Sequence, residues 1–304
     1  MKKQLTRFAR IFCYTLVVSL ALFASYLRAQ PKYSEWSAPQ NLGGVVNTAF
    51  AEAGPHLSKD RKSLYFYTVR PGTASSDIWV TERENVDEES WGTPLPVTAV
   101  NSATAELSPC LSRDGHWLFF TRVVAGKRDI WMSYRENVHD NFAWQPPVNA
   151  GPGINTPTND EADPSYFENE DGSAPQLFFN RGNDLYVSSQ LPDGTWGPAT
   201  QVLELNTANI ERGFSIRFDG LEAFFYSDRP TSAGTDLWTT TRQSPLDLWS
   251  APTNLGPLVN SSAGDGEPDI SSDRETLYFN SNRIVAGAYG GMDLYVTHRT
   301  KQKP

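Results

Sequence analysis

The sequence predicts an all-β protein, a five-bladed β-propeller built from four-stranded antiparallel blades. Three observations lead there. A tryptophan followed closely by a proline recurs at Trp36, Trp91, Trp144, Trp196 and Trp249, at intervals of 55, 53, 52 and 53 residues. The same landmarks return between these tryptophans in the same order, five times over, and a fixed period of this length is the mark of a repeat architecture. The composition, with 22 Gly, 21 Pro and 12% aromatic residues, is that of a turn-rich chain of short strands.

Each repeat has an asparagine (Asn47, Asn101, Asn155, Asn206, Asn260), then an acid (Glu52, Glu106, Glu161, Glu211, Asp265) that opens the first strand. Three residues further on stands Pro55, Pro109, Pro164, Phe214 or Pro268, before a turn that carries an aspartate. An apolar triplet follows, as in Leu64-Tyr65-Phe66 or Leu118-Phe119-Phe120. Such uninterrupted apolar runs suit a strand buried on both faces. Next come an arginine (Arg70, Arg122, Arg181, Arg229, Arg283) and an aspartate (Asp77, Asp129, Asp184, Asp236, Asp293) that opens an aromatic third strand. The Trp-led segment makes a fourth strand, and its proline would break a central ladder, so it belongs at the outer edge. Four strands per repeat is the content of a propeller blade. The blades are expected at about residues 52–97, 106–150, 161–203, 211–256 and 265–299, within one propeller domain spanning 30–304. Residues 34–42 are expected to complete the fifth blade and so join the two ends of the chain.

Lys2, Lys3, Arg7 and Arg10 precede an apolar run from Ile11 to Leu27, with Ala29 as a small residue for cleavage. This reads as a signal peptide over 1–29, with an uncleaved membrane anchor as the alternative. The expected location is periplasmic or secreted, with no membrane span once the signal is removed. Its removal takes away five basic residues and no acidic one, which leaves 21 basic against 35 acidic and moves the formal charge from -9 to -14. Such a surface repels phosphate backbones, so nucleic acid is not an expected partner. Cys110 would then be the single cysteine, and stability must come from packing without a disulfide. A monomer is expected.

The repeat resembles the TolB-type, WD-like propeller repeats of bacterial periplasmic proteins. Pro55-His56-Leu57-Ser58-Lys59-Asp60 and Ser227-Asp228-Arg229-Pro230 carry the resemblance, which extends over residues 34 to 299. It implies a propeller fold and an envelope or secreted interaction module.

The repeated acids and arginines fall on one expected rim. Two readings of that rim stay open. Each arginine, a planar multi-donor fork, can pin loops by bridging carboxylates. Alternatively Glu52, Glu106, Glu161, Glu211 and Asp265 ring a channel mouth and hold Ca²⁺ or a cationic group. Departures from the repeat are better pointers to a ligand. They are Asp163, Glu267 and Asp269 on the first strands of blades three and five, Arg212 on blade four, His56 on blade one, and Tyr289 in the long loop from Ile284 to Met292.

No catalytic motif stands out. The four histidines lack metal-ligand spacing, and Gly-x-Ser-x-Gly is absent. The acids are spread so evenly that no catalytic pair can be selected. The leading expectation is therefore a non-catalytic module, with no cofactor, that binds an envelope or extracellular protein or glycan through its acidic face. A glycoside hydrolase that uses paired carboxylates is the alternative.

Overall fold

The computed structural model describes residues 33–169 and 172–302. The predicted signal segment, residues 1–29, lies outside the described residues, among which no helix occurs. Trp36–Arg299 forms one compact unit of five four-stranded antiparallel sheets.

The first strands are β2 (Glu52–Leu57), β6 (Glu106–Leu111), β10 (Glu161–Phe167), β14 (Glu211–Ile216) and β18 (Asp265–Ile270). Each contacts the first strands of both neighbouring blades, and the cycle closes from β18 back to β2, so these five line the axis. The apolar triplets lie in the second strands, β3 (Ser63–Thr68), β7 (Trp117–Val124), β11 (Gln176–Arg181), β15 (Glu222–Ser227) and β19 (Thr276–Ser281). Their side chains are almost wholly buried, as continuous apolar runs require. The third strands are β4 (Asp77–Glu82), β8 (Lys127–Tyr134), β12 (Asp184–Ser189), β16 (Asp236–Thr241) and β20 (Asp293–His298). The outermost strands are two residues long: β5 (Leu95–Pro96), β9 (Val148–Asn149), β13 (Thr200–Gln201), β17 (Thr253–Asn254) and β1 (Gln40–Asn41). β1 pairs with β20, so the N-terminal strand closes the fifth blade as expected.

The repeated tryptophans precede these short outer strands and act between blades. Trp91 meets Tyr278, Trp144 meets Tyr65, Trp196 meets Phe119 and Trp36 meets Phe224, all edge-on at 5.8–6.5 Å. Each contact joins one blade to the second strand of the blade before it. Arg83, Arg135, Arg242 and Arg299 cover the outer faces of Trp91, Trp144, Trp249 and Trp36 at 4.1–4.5 Å, a favourable cation–aromatic arrangement.

All five first strands carry a bulge at one register, where pairing with the second strand slips. The bulged residue has positive φ in every blade: Gly54 (59°), Ser108 (46°), Asp163 (53°), Gly213 (62°) and Glu267 (44°). In β14 a Cβ added to Gly213 would fall 2.8 Å from the Tyr226 ring and 3.2 Å from the Glu267 Cα. Gly213→Ala is therefore expected to cost about 1–3 kcal/mol through backbone strain and collision. Urea denaturation checks this; an unchanged midpoint would show that the ring can move aside.

Candidate functional site

The five first-strand acids are completely buried, each beneath the arginine of its own blade. Glu52 accepts from the Thr48 amide at 2.8 Å and the Thr48 hydroxyl at 2.6 Å. Arg70 closes over it at 3.1 Å and also donates to the Val46 carbonyl at 2.6 Å. The same arrangement recurs as Arg122–Glu106 (2.8 Å), Arg181–Glu161 (2.8 Å), Arg229–Glu211 (3.0 Å) and Arg283–Asp265 (2.6 Å). Fivefold use of one buried, multiply hydrogen-bonded ion pair pins the loop between blades. The acids thus lie beneath the rim under their arginines, and do not present an open ring of carboxylates. Among the described residues no group of three or more His, Cys, Asp or Glu is arranged to hold a metal ion.

The third-strand aspartates do not share these arginines. Four of them accept instead from an amide on the outer strand: Asp293 from Asn41, Asp129 from Asn149, Asp184 from Gln201 and Asp236 from Asn254. Blade one has Pro96 at that position. Asp77 Oδ1 is buried there without a hydrogen-bond partner. Burial, with the nearby Glu106 charge, pushes the Asp77 carboxyl up to about 6. A carboxyl raised in the folded state stabilises at pH below its ordinary range and loses that contribution as pH rises through about 6. Asp77→Asn should therefore raise the melting temperature relative to the parent more at pH 8 than at pH 4. Melts at the two pH values check it.

The bulge residues face the axis, and here the blades differ. Ser108 Oγ lies 2.7 Å from Asp163 Oδ1 and 2.7 Å from Glu267 Oε1. One hydroxyl can touch both only if the two carboxylates lie within two hydrogen-bond lengths of each other. Tyr67 donates to Glu267 Oε2 at 3.1 Å. With their amides turned to satisfy both neighbours, Asn180 donates to Asp163 Oδ2 at 2.6 Å and Asn280 to Glu267 Oε2 at 2.9 Å. The pair lines a cavity of about 390 Å³, whose wall also carries Arg128, Arg212 and Tyr226.

The two carboxyls stand in different fields. Burial pushes Glu267 up to about 7, and the neighbouring Asp163 charge adds to the rise. Burial also raises Asp163, but Ser108, Arg212 and Arg128 act against it. At Glu267 the Ser108 and Tyr67 hydroxyls and the Gly54 amide oppose the rise, with no arginine beside them. The Ser108 hydroxyl has one proton to donate, so its two short contacts are both satisfied when one carboxyl is protonated and donates back to Oγ. Both carboxyls are raised, and the arginines on the Asp163 side favour Asp163 as the ionised partner and Glu267 as the protonated one. Separation of roles by environment is the signature of an acid and base pair.

The other expected residues are placed as follows. Arg212 reaches the cavity wall, and its Nη2 donates to Asn183 Oδ1 at 2.7 Å. Asp269 is not on that cavity wall; it stands beside His56 at 3.0 Å in a narrow axial space of about 40 Å³ that Ser108, Asp163 and Glu267 also line. Tyr289 is half-exposed with its ring against Gly44, and is not part of the cavity wall. Ser108, Tyr67, Tyr226, Asn180, Asn280 and Arg128 were not singled out from the sequence. A signal for them exists. Where the bulge residue is Gly (54, 213), the residue after the apolar triplet is Tyr (67, 226); where it is Asp163 or Glu267, that residue is Asn (180, 280).

No protein family matches the chain, and no curated protein matches it in sequence. Solved structures do match it in shape. An α-L-arabinofuranosidase from Podospora anserina superposes with a TM-score of 0.58 at 13% identity, over 89% of this chain and 98% of its own. The Bacillus subtilis arabinanase gives 0.57 at 13%, over 84% and 96%. An endo-1,4-β-xylanase from Bacteroides thetaiotaomicron gives 0.56 at 17%, over 83% and 91%. The chain has the five-bladed propeller fold of these proteins. A structure described as a TolB from Agrobacterium tumefaciens superposes at 0.47; with no family model matching, membership of the TolB-type repeat family is not shown.

The expectation of a non-catalytic binding module is corrected by these findings. The similar solved structures are mostly glycoside hydrolases. The ground for that expectation, the lack of a selectable carboxylate pair, is removed by Asp163 and Glu267.

Proposed function

We propose that the protein is an exported glycoside hydrolase with Glu267 as general acid and Asp163 as its ionised partner. The observation that carries the reading is one hydroxyl, Ser108 Oγ, bridging two carboxyls that burial raises, of which Asp163 alone has arginines acting against the rise. Glycoside hydrolysis needs a proton for the leaving oxygen and a carboxylate that serves the anomeric carbon while positive charge builds on the sugar. Protonated Glu267 supplies the first. Asp163, raised by burial but favoured as the ionised partner by Arg212 and Arg128, supplies the second. The cavity that the pair lines is walled by amides and tyrosines, groups suited to sugar hydroxyls and ring faces, together with two arginines.

The similarity to arabinofuranosidase, arabinanase and xylanase structures supports testing arabinan, arabinoxylan and xylan first. The purified protein should release reducing sugar from at least one of them, and the Asp163→Asn/Glu267→Gln double variant from none. Undiminished release by the double variant, or none by the parent from these polymers and from a galacturonan, refutes the reading. The repeat residues are read as TolB-type units that carry this site. Among the described residues no helix is long and apolar enough to cross a membrane. Residues 1–29 are read as a signal, so the exported protein should begin at Gln30. N-terminal sequencing checks that; a chain beginning at Met1 would mean an uncleaved anchor.

A further inference from the structure

Two arginines at the cavity stand at positions where the other blades have no cation. Arg212 directly follows the first-strand acid, where the other blades have Ala53, Leu107, Ala162 and Gly266. Arg128 directly precedes the third-strand aspartate, where the others have Ser76, Asn183, Thr235 and Met292. The ring is held at those registers without a guanidinium, so architecture does not account for either residue. Both line the cavity, and they come from the blades on either side of the one that carries Asp163.

Neither guanidinium is saturated by the protein, although both act on Asp163 and Arg212 also meets Tyr226. Arg212 donates through Nη2 to Asn183, while its buried Nε has no hydrogen-bond partner among the described residues. A buried donor left without an acceptor is costly and calls for an explanation. Arg128 is half-exposed, and its ion pair with Asp160 spans 3.7 Å, longer than a hydrogen bond. The Glu267 side of the cavity has Asn280, Asn282 and Met292 and no cation. The cavity is therefore polarised, with spare guanidinium donors on one side.

We infer that Arg212 and Arg128 form a subsite for a sugar carboxylate, so that the glycan taken by this cavity contains uronic acid residues. The inference rests on the hydrolase reading and names its substrate class. Guanidinium forks match planar carboxylates through paired N–H donors, which a neutral sugar hydroxyl cannot reciprocate. The chain's overall negative charge repels such a polymer at long range, so recognition depends on these local donors and weakens as salt screens them.

The test measures binding, by calorimetry, in the full-length Glu267→Gln protein, where turnover cannot interfere. The probes are a galacturonate trisaccharide and its carboxyl-reduced counterpart. The expected result is at least about tenfold tighter binding of the acidic trisaccharide. Adding Arg212→Gln, or separately Arg128→Gln, should erase most of that preference while binding of the neutral trisaccharide stays within about twofold. Two arginine variants guard against one failing to fold. Equal binding of the two probes, or equal losses for both on arginine replacement, overturns the inference. If that occurs while the parent hydrolyses neutral arabinan through Asp163 and Glu267, the substrate assignment fails and the hydrolase reading stands. If the acidic preference is found but the double carboxylate variant retains full hydrolysis, the reverse holds.

Discussion

Glu267→Gln is expected to lower glycan turnover by about 10²–10⁴-fold, the usual contribution of a positioned general acid, without unfolding the ring. The amide keeps the size of the carboxyl and can still accept from Tyr67 and meet Ser108, so the bulge has no reason to collapse. It has no proton to give a leaving oxygen. The variant should also be the more stable protein in alkali. Glu267 is raised to about 7 in the fold, so its contribution to stability is present below the ordinary glutamate range and is lost as pH rises through about 7. Glutamine removes that loss. A melting temperature above the parent at pH 8, together with lost turnover, is the expected pair of results; unchanged turnover would remove Glu267 from the chemistry.

Glu211→Ala should do the opposite, with a large loss of stability, on the order of 3–5 kcal/mol, because removing one partner strands the other as a buried charge. Arg229 would keep its contact with the Leu205 carbonyl at 2.9 Å but lose its carboxylate at 3.0 Å. The Thr207 amide and hydroxyl, which donate to Glu211 at 2.8 and 2.6 Å, would also lose their acceptor. The entry into blade four would then have no anchor at its axial end. Chemical denaturation checks this; a loss under about 1 kcal/mol would mean that water replaces the glutamate freely, as at an exposed pair.

The contrast between these two glutamates explains what the sequence could and could not reveal. Architecture repeats, so the tryptophans, ring acids and arginines declared five blades and the closing role of the N-terminal strand. The same repetition hid the site, since ten evenly spread acids look alike on paper. What separates Glu211 from Glu267 is a bulge two residues past each first-strand acid. The bulge turns position 267 toward the axis and leaves position 211 under its arginine. That turn is a matter of backbone dihedrals, and Ser108, Asp163 and Glu267 adopt it without being glycine, strain of a kind that collects at functional sites. The pairing of Asp163 with Glu267 across the axis joins blades three and five, more than a hundred residues apart in the chain. No local motif could announce it. Arg212, by contrast, was legible as an exception to its register, and its place on the cavity wall shows the value of reading a repeat for its departures. Tyr289 was an equally visible exception, yet its ring rests on Gly44, away from the cavity wall, because loop length alone does not say where a loop folds.

The central claim is that Glu267 must hold a proton while Asp163 must not. The pH dependence of kcat/KM on the hydrolysed glycan tests it most directly, since it reports the free protein's essential acid and base. The account predicts a bell. Its alkaline limb should fall near pH 7, where Glu267 loses its proton, and its acid limb should lie above the ordinary aspartate range, where the raised Asp163 gains one. A profile that stays flat from about pH 5 to about pH 9 would contradict the assignment of both carboxylates.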